Sequence, residues 1–312
     1  MRRPTWVQRI AGLAEAAGSR AAFAAANLPA AALGAYTRRR DVPYGLDPRQ
    51  RVDVYVPDAA PAGPRPVVVF WHGGRWSNGD KRDYRFVGAA LAEIGCVAVV
   101  PNYRLYPQVR MTGFMQDAAL AASWAAAYAR EFHDPDRLVL MGHSAGALLA
   151  ALVALDARHF AAAGRDYPRI AGVIGLSGPY DFLPLVDADL VDIFGPEDAL
   201  PASQAIHFVR PGAPPMLLLH GGTDETVWPK NSRNLAAALH ACGVEATLRI
   251  LPGLRHADTV AALSLPMRGR APVLREIDRF IRGLGARCDR ALRRVERLPQ
   301  APGAGSSARL TE

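Results

Sequence analysis

Lysine is nearly missing from this chain. Of its 37 basic residues among 312, only Lys81 and Lys230 are lysines. Cysteine is scarce too. Cys96, Cys242 and Cys288 form an odd set without close spacing. That excludes a disulfide framework and a zinc site, and it fits reduced thiols in a cytoplasmic protein. No apolar run reaches the roughly 18–20 residues that span a bilayer. Ile10–Ala35 is broken by Glu15, Ser19, Arg20 and Asn27, too polar for a signal-peptide core. The glycines make neither a dinucleotide fingerprint nor a phosphate loop, so no cofactor and no metal are expected. The formal charge of +8 raises the question of a nucleic-acid or membrane partner. Much of the excess lies in Arg2, Arg3, Arg38–Arg40 and the stretch Arg282 to Arg297. It has no aromatic interleaving and matches no nucleic-acid motif. These arginines read as solvated, and no nucleic-acid partner is expected.

What is present is chemistry in a fixed order. Leu138–Met141 is a short apolar strand; Gly142–His143–Ser144–Ala145–Gly146 follows, then the Ala/Leu-rich run Ala147–Ala150. Strand, Gly-x-Ser-x-Gly and helix together suit a nucleophile elbow, where the serine needs small neighbours because strand and helix backbones approach closely. The helix would aim its positive end at the site. Upstream, the apolar run Val67–Trp71 ends in His72–Gly73–Gly74. Backbone N–H groups stabilise the charge that grows on a carbonyl oxygen during acyl transfer. Gly73 and Gly74 are candidate donors, and Ala145 is the third.

Downstream, the strand Met216–His220 leads to Gly221–Gly222–Thr223–Asp224–Glu225. The triad acid belongs just after such a strand. Asp224 is preferred to Glu225 because it comes first after the turn and its short side chain is easier to fix. The strand Ala246–Leu251 then runs into a Pro-Gly loop carrying His256. The order Ser144, Asp224, His256 differs from that of chymotrypsin and subtilisin. His72 and His143 flank these motifs and are expected to hold loops in shape. His220 ends a strand, and the other four histidines have no partner pattern.

These segments resemble the α/β-hydrolase superfamily, in the His-Gly-Gly branch of hormone-sensitive-lipase-like esterases and bacterial carboxylesterases. His72–Gly73–Gly74–Arg75–Trp76 is closer to the His-Gly-Gly-x-Trp pattern of arylformamidase-like and prenylcysteine-methylesterase-like members. Val52–Pro57 and Asn102–Pro107 also look like family segments. The resemblance covers roughly residues 42 to 284. It departs where lipase-like members carry a third glycine and this chain has Arg75, a side chain that narrows the pocket or meets an acidic group.

The expected fold is therefore α/β, a mostly parallel sheet flanked by helices. Strands are predicted at about Arg51–Val56, Val67–Trp71, Val97–Pro101, Leu138–Met141, Ala171–Leu176, Met216–His220 and Ala246–Leu251. Helices are predicted at Tyr84–Ile94, Phe114–Ala129, Asn231–Cys242 and Pro272–Leu284. Trp124 and Tyr128, four apart, would mark the sheet-facing side of the second helix, and Asp117 would partner its N-terminal dipole. The catalytic domain spans 41–285. Residues 178–215 are too long and too apolar for a plain connection and read as a cap insertion of short helices over the pocket. Residues 1–40 read as a helical segment over the active-site face, with membrane contact as the alternative, and 286–312 as a basic, disordered tail. Arg75, Trp76, Phe182 and Phe208 are the candidate substrate contacts. The expected activity is hydrolysis of a small carboxylic ester through an acyl-enzyme. The alternatives are an arylformamidase-like amide hydrolase and a non-catalytic binding module.

Overall fold

A computed structural model of the chain describes residues 23–32, 34–58, 64–185 and 187–296; beyond Gly285 only the backbone is described. Eight strands form one sheet, in the order β1-β2-β4-β3-β5-β6-β7-β8. They are β1 Tyr36–Pro43, β2 Arg51–Pro57, β3 Val67–Trp71, β4 Val97–Pro101, β5 Leu138–His143, β6 Gly172–Leu176, β7 Met216–Gly221 and β8 Ala246–Leu251. Strands β3 to β8 are parallel, while β2 pairs antiparallel with both β1 and β4. All seven expected strands are there.

The eighth, β1, was not expected. Its sequence YTRRRDVP has no apolar alternation because it is an edge strand with mostly exposed or half-exposed side chains. Residues 36–40 are thus strand and not part of an N-terminal helix. The register shifts between Arg39 and Val42, where Asp41 takes φ 55°. Part of the arginine cluster is structural. Arg38 reaches Asp53 at 2.6 Å, and the buried Lys81 ammonium lies 2.6 Å from both Asp41 and Asp53.

The central strands are apolar throughout because both faces are covered. Val67, Val69 and Trp71 join the core under α3 (Met111–Phe132), α4 (Ala145–Leu155) and α7 (Lys230–Ala241). Val68 and Phe70 face the opposite core, under α1 (residues 23–32), α2 (Arg85–Glu93) and α9 (Val273–Glu296). Short helices α5 (Arg158–Ala162), α6 (Ala188–Phe194) and α8 (Asp258–Ala261) complete the set described.

Four expectations about helices change. The described part of the N-terminal helix, α1, docks on α2 and the turn Lys81–Tyr84 and not on the Ser144 loop. Asn27 donates to the carbonyls of Arg82 and Asp83 and accepts from Phe86 N–H, which satisfies a backbone donor at the start of α2. Met1 to Ala22, with Trp6 and the first arginines, lie outside the described residues. Beyond Phe114, Met115 and Asp117 near its start, the buried side of α3 is alanine, residues 118, 119, 121, 122, 125, 126 and 129. Trp124 and Tyr128 stack at 5.3 Å on its half-buried flank. Small side chains let this helix lie close to the sheet, and the larger rings stand aside. Asp117 sits in the second turn of α3, too far in to serve the helix end. It is fully buried and takes hydrogen bonds from Gln50 and Arg104. Finally, α9 runs on to Glu296, past the expected tail boundary at 285. No proline interrupts it, and Arg282 pairs with Asp278 one turn back. Residues 297–312 lie outside the described set.

Candidate active site

Strand β5 delivers the elbow. Ser144 stands between β5 and α4 with φ 54° and ψ −121°, a conformation that costs a non-glycine residue roughly 1–3 kcal/mol and collects at functional sites. The two glycines around it are required by contact. A Cβ on Gly142 would lie 2.2 Å from the Gly146 carbonyl, and one on Gly146 would lie 2.1 Å from the Trp71 oxygen. Ser144 is almost buried, and its N–H is held by the Leu176 carbonyl at 2.9 Å.

Loops from three strand ends meet at that serine. His256 Nε2 is 2.8 Å from Ser144 Oγ, and His256 Nδ1 is 2.8 Å from Asp224 Oδ2. Glu225 is exposed and takes no part. The other oxygen of Asp224 accepts the N–H groups of Thr226 and Val227 at 3.0 and 2.9 Å. Burial works to raise the Asp224 carboxyl, but the bonds from His220 and His256 and the Val227 N–H outweigh it. The carboxyl is held well below the usual carboxylate range and stays ionised.

The Gly73–Gly74 loop lies across the serine. A Cβ on Gly73 would stand 3.0 Å from His143 Nδ1 and 3.1 Å from Ser144 Cβ, so any larger residue here would push its neighbours aside. Among the described residues no hydrogen bond takes up the N–H of Gly74 or Ala145, while the N–H of Gly73 is directed at the Tyr84 hydroxyl. Gly74, Arg75 and Trp76 have φ of 123°, 53° and 58°, a tight turn that separates the last two side chains. Arg75 points out and meets Asp187 of the insertion at 2.6 Å. Trp76 is turned in, 5% exposed, with its ring edge-on to Phe194 at 4.8 Å. Phe194 in turn lies 5.1 Å from Phe182.

The insertion thus contacts the Gly73–Trp76 turn through α6. Asp192 on the same helix accepts from Tyr106 at 2.7 Å and pairs with Arg110 at 3.0 Å. Phe208 is not brought to this group. It stands 5.4 Å from the Arg158 guanidinium. Arg158 lies past the far end of α4, a helix of 11 residues and hence about 16 Å long. The sequence reading missed Phe194, whose only signal was its place in an apolar insertion.

Two flanking histidines act as neutral struts. His72 donates to the Gly73 carbonyl at 2.7 Å and stacks on Tyr103 at 4.6 Å; burial pushes its ring down to about 4. His143 reaches the His256 carbonyl at 3.1 Å, tying the elbow to the histidine loop. Burial and the neighbouring His256 push its ring down to about 3. Among the described residues no cluster of His, Cys, Asp and Glu could hold a metal ion, and no helix is long and apolar enough to cross a membrane.

The family model described as BD-FAE matches residues 52–239, which include Gly73, Gly74, Ser144 and Asp224 but not His256. The chain belongs to the BD-FAE family. As a BD-FAE member it is 32% identical over 254 residues to an isoprenylcysteine alpha-carbonyl methylesterase of Arabidopsis thaliana, covering 74% of this chain and 58% of that protein. It spans little more than half the length of such plant relatives. Esterase LipC of Mycobacterium tuberculosis is 30% identical over 278 residues, covering 78% of this chain and 68% of LipC. Among solved structures, esterase B from Lactobacillus rhamnosis in an inhibited form superposes with a TM-score of 0.74 at 26% identity, covering 91% of this chain and 99% of its own. A truncated carbohydrate esterase from gut microbiota gives 0.69 at 19% identity, covering 81% of this chain and 98% of its own, and speaks for the fold alone. The fold is that of the α/β-hydrolases.

Proposed function

We propose that this BD-FAE member is a serine esterase that cleaves small carboxylic esters through an acyl-enzyme. The observation that carries this is the unbroken chain from Ser144 Oγ through His256 to Asp224, each link 2.8 Å, beside the uncommitted N–H groups of Gly74 and Ala145. His256 Nε2 takes the serine proton as Oγ attacks the ester carbonyl. The N–H groups of Gly73, Gly74 and Ala145 receive the oxyanion. His256 then protonates the leaving alcohol, and Asp224 holds the ring in one tautomer and stabilises its charged form. Water repeats the sequence on the acyl-enzyme. Labelling of Ser144 by a fluorophosphonate, with turnover of short nitrophenyl esters, tests this. An unlabelled, inactive protein overturns it and favours a binding module. Trp76 in the turn after Gly74 keeps an arylformamidase-like amide hydrolase as the second reading. N-formylkynurenine turned over faster than any ester would select it.

The imidazole must be neutral to act as base. The rate is therefore expected to fall in acid, where the ring is protonated, and to level off once it is neutral. An optimum near pH 4 in a pH–rate profile contradicts an imidazole base.

The insertion 178–215 is read as a cap that bounds the acyl pocket, with Trp76, Phe194 and Phe182 as its wall. Substrate preference is expected to fall from short to long acyl chains. Phe182→Ala and Phe194→Ala should raise the octanoate-to-acetate ratio of kcat/KM by about tenfold, the worth of one or two methylenes in an apolar pocket. Phe208→Ala, on the far side of α4, should leave the ratio alone. A ratio unmoved by the first two substitutions removes the wall.

A further inference from the structure

His220 is the next-to-last residue of β7, is fully buried and belongs to none of the groups that would touch substrate. Its ring joins three elements. Nδ1 lies 2.7 Å from Ser232 Oγ on α7, and Nε2 lies 2.8 Å from the Val227 carbonyl. A carbonyl only accepts, so Nε2 carries the proton. In the neutral ring Nδ1 must then accept from the serine hydroxyl. The same Nε2–H faces Asp224 Oδ2 at 3.3 Å, the oxygen that takes His256 Nδ1.

Asp224 therefore has donors on both oxygens. Thr226 and Val227 hold Oδ1, and His256 and His220 share Oδ2. Without His220, the oxygen that orients His256 would have no protein donor other than His256 itself. A carboxylate held on one side only can swing about its Cβ–Cγ bond and take the imidazole with it.

We propose that His220 is a positioning residue, a neutral second histidine that clamps Asp224 Oδ2 from behind and tempers the charge His256 feels. The inference rests on the Ser144–His256–Asp224 reading. It has an electrostatic consequence that a purely structural role lacks. A donor on Oδ2 draws off part of the negative charge that favours the protonated imidazole. Removing it makes the protonated ring easier to form, so the acid limb of the pH–rate profile moves to higher pH.

The other titratable or charged groups around this pair are few. His143 faces it from the elbow and stays neutral down to about pH 3. On the histidine's own loop, Arg255 N–H binds Asp258, which Arg270 approaches at 3.5 Å. Glu225 follows Asp224 on the acid loop and is exposed.

The test compares His220→Ala, His220→Gln and His220→Asn in the full chain, with Ser144→Ala alongside. Glutamine can place an amide N–H where Nε2 stands, whereas asparagine reaches only the Nδ1 position. His220→Ala should fold, keep KM within about twofold and lose about tenfold to a hundredfold in kcat, as supporting partners of catalytic ligands do. Its acid limb should move up in pH. Glutamine should restore most of kcat and the original limb, and asparagine neither. If the alanine variant does not fold, the glutamine–asparagine contrast carries the decision. Equal activity and an unmoved acid limb in those two overturn the positioning role, whatever their thermal stability. Residual turnover in Ser144→Ala would instead overturn the triad reading, so the two failures are separable.

Discussion

Ser144→Ala is expected to lower ester turnover by about four to six orders of magnitude while the protein keeps its melting temperature and circular dichroism. The size follows from the role proposed for Oγ. It is the atom that bonds to carbon, and His256 and the N–H groups of Gly73, Gly74 and Ala145 act only on what that bond creates. The fold should be spared because the substitution removes a single oxygen and leaves the backbone bonds in place. Ser144 holds α4 through its backbone, with its carbonyl accepting from Ala147 at 2.9 Å, and alanine keeps that bond. The strained φ of 54° is no worse for alanine than for serine. Single-turnover and steady-state rates on nitrophenyl acetate check the prediction. A variant that retained even a tenth of the activity would show that another group is the nucleophile.

Acid should destabilise this protein before its carboxylates protonate. His72 and His143 are buried as neutral rings, pushed down to about 4 and about 3, whereas in the unfolded chain an imidazole ionises near 6.5. Between those values the unfolded state binds protons that the folded state refuses. The stability is fully present above about pH 7 and falls as pH drops below 6.5. At pH 5 each ring costs about 2 kcal/mol, so about 4 together, a large share of a typical domain's 5–15 kcal/mol. The Asp224 carboxyl, held low, adds its own loss only below about pH 4. Urea denaturation at pH 8, 6 and 5 measures this. The extrapolated stability should decline steeply from pH 6 to 5, and His143→Asn should flatten the slope. A stability constant over that interval would mean that these rings accept protons in the native state.

Both results depend on residues whose types were legible in the chain but whose roles were legible to different degrees. Ser144, Asp224 and His256 could be chosen because each follows a strand of β-branched or leucine-rich residues and sits in a glycine-containing loop. The parallel strands could be read for the same reason. A strand buried on both faces must be apolar at every position, as Val67–Trp71 and Leu138–Met141 are. Edge strand β1 escaped because its Arg38, Arg39 and Arg40 obey no burial constraint. The helix of 286–296 escaped because an arginine-rich helix and an arginine-rich tail have similar composition.

The chain by itself determined the sheet's inner strands, the elbow and the order of the three candidate catalytic residues, since these depend on local patterns of burial and on glycines forced by close backbone approach. Only the tertiary structure decided what depends on contacts between residues distant in the chain. It placed Arg75 on Asp187, 112 residues away. It set Trp76 against Phe194, and sent Phe208 to the far end of α4. It gave His220 its place behind Asp224. Such side chains carry no local signature, because hydrogen bonds and ring contacts are chosen by what the fold brings near them. The tertiary structure also set the 2.8 Å links on either side of His256, which exist only because three separate strands end at one edge of the sheet.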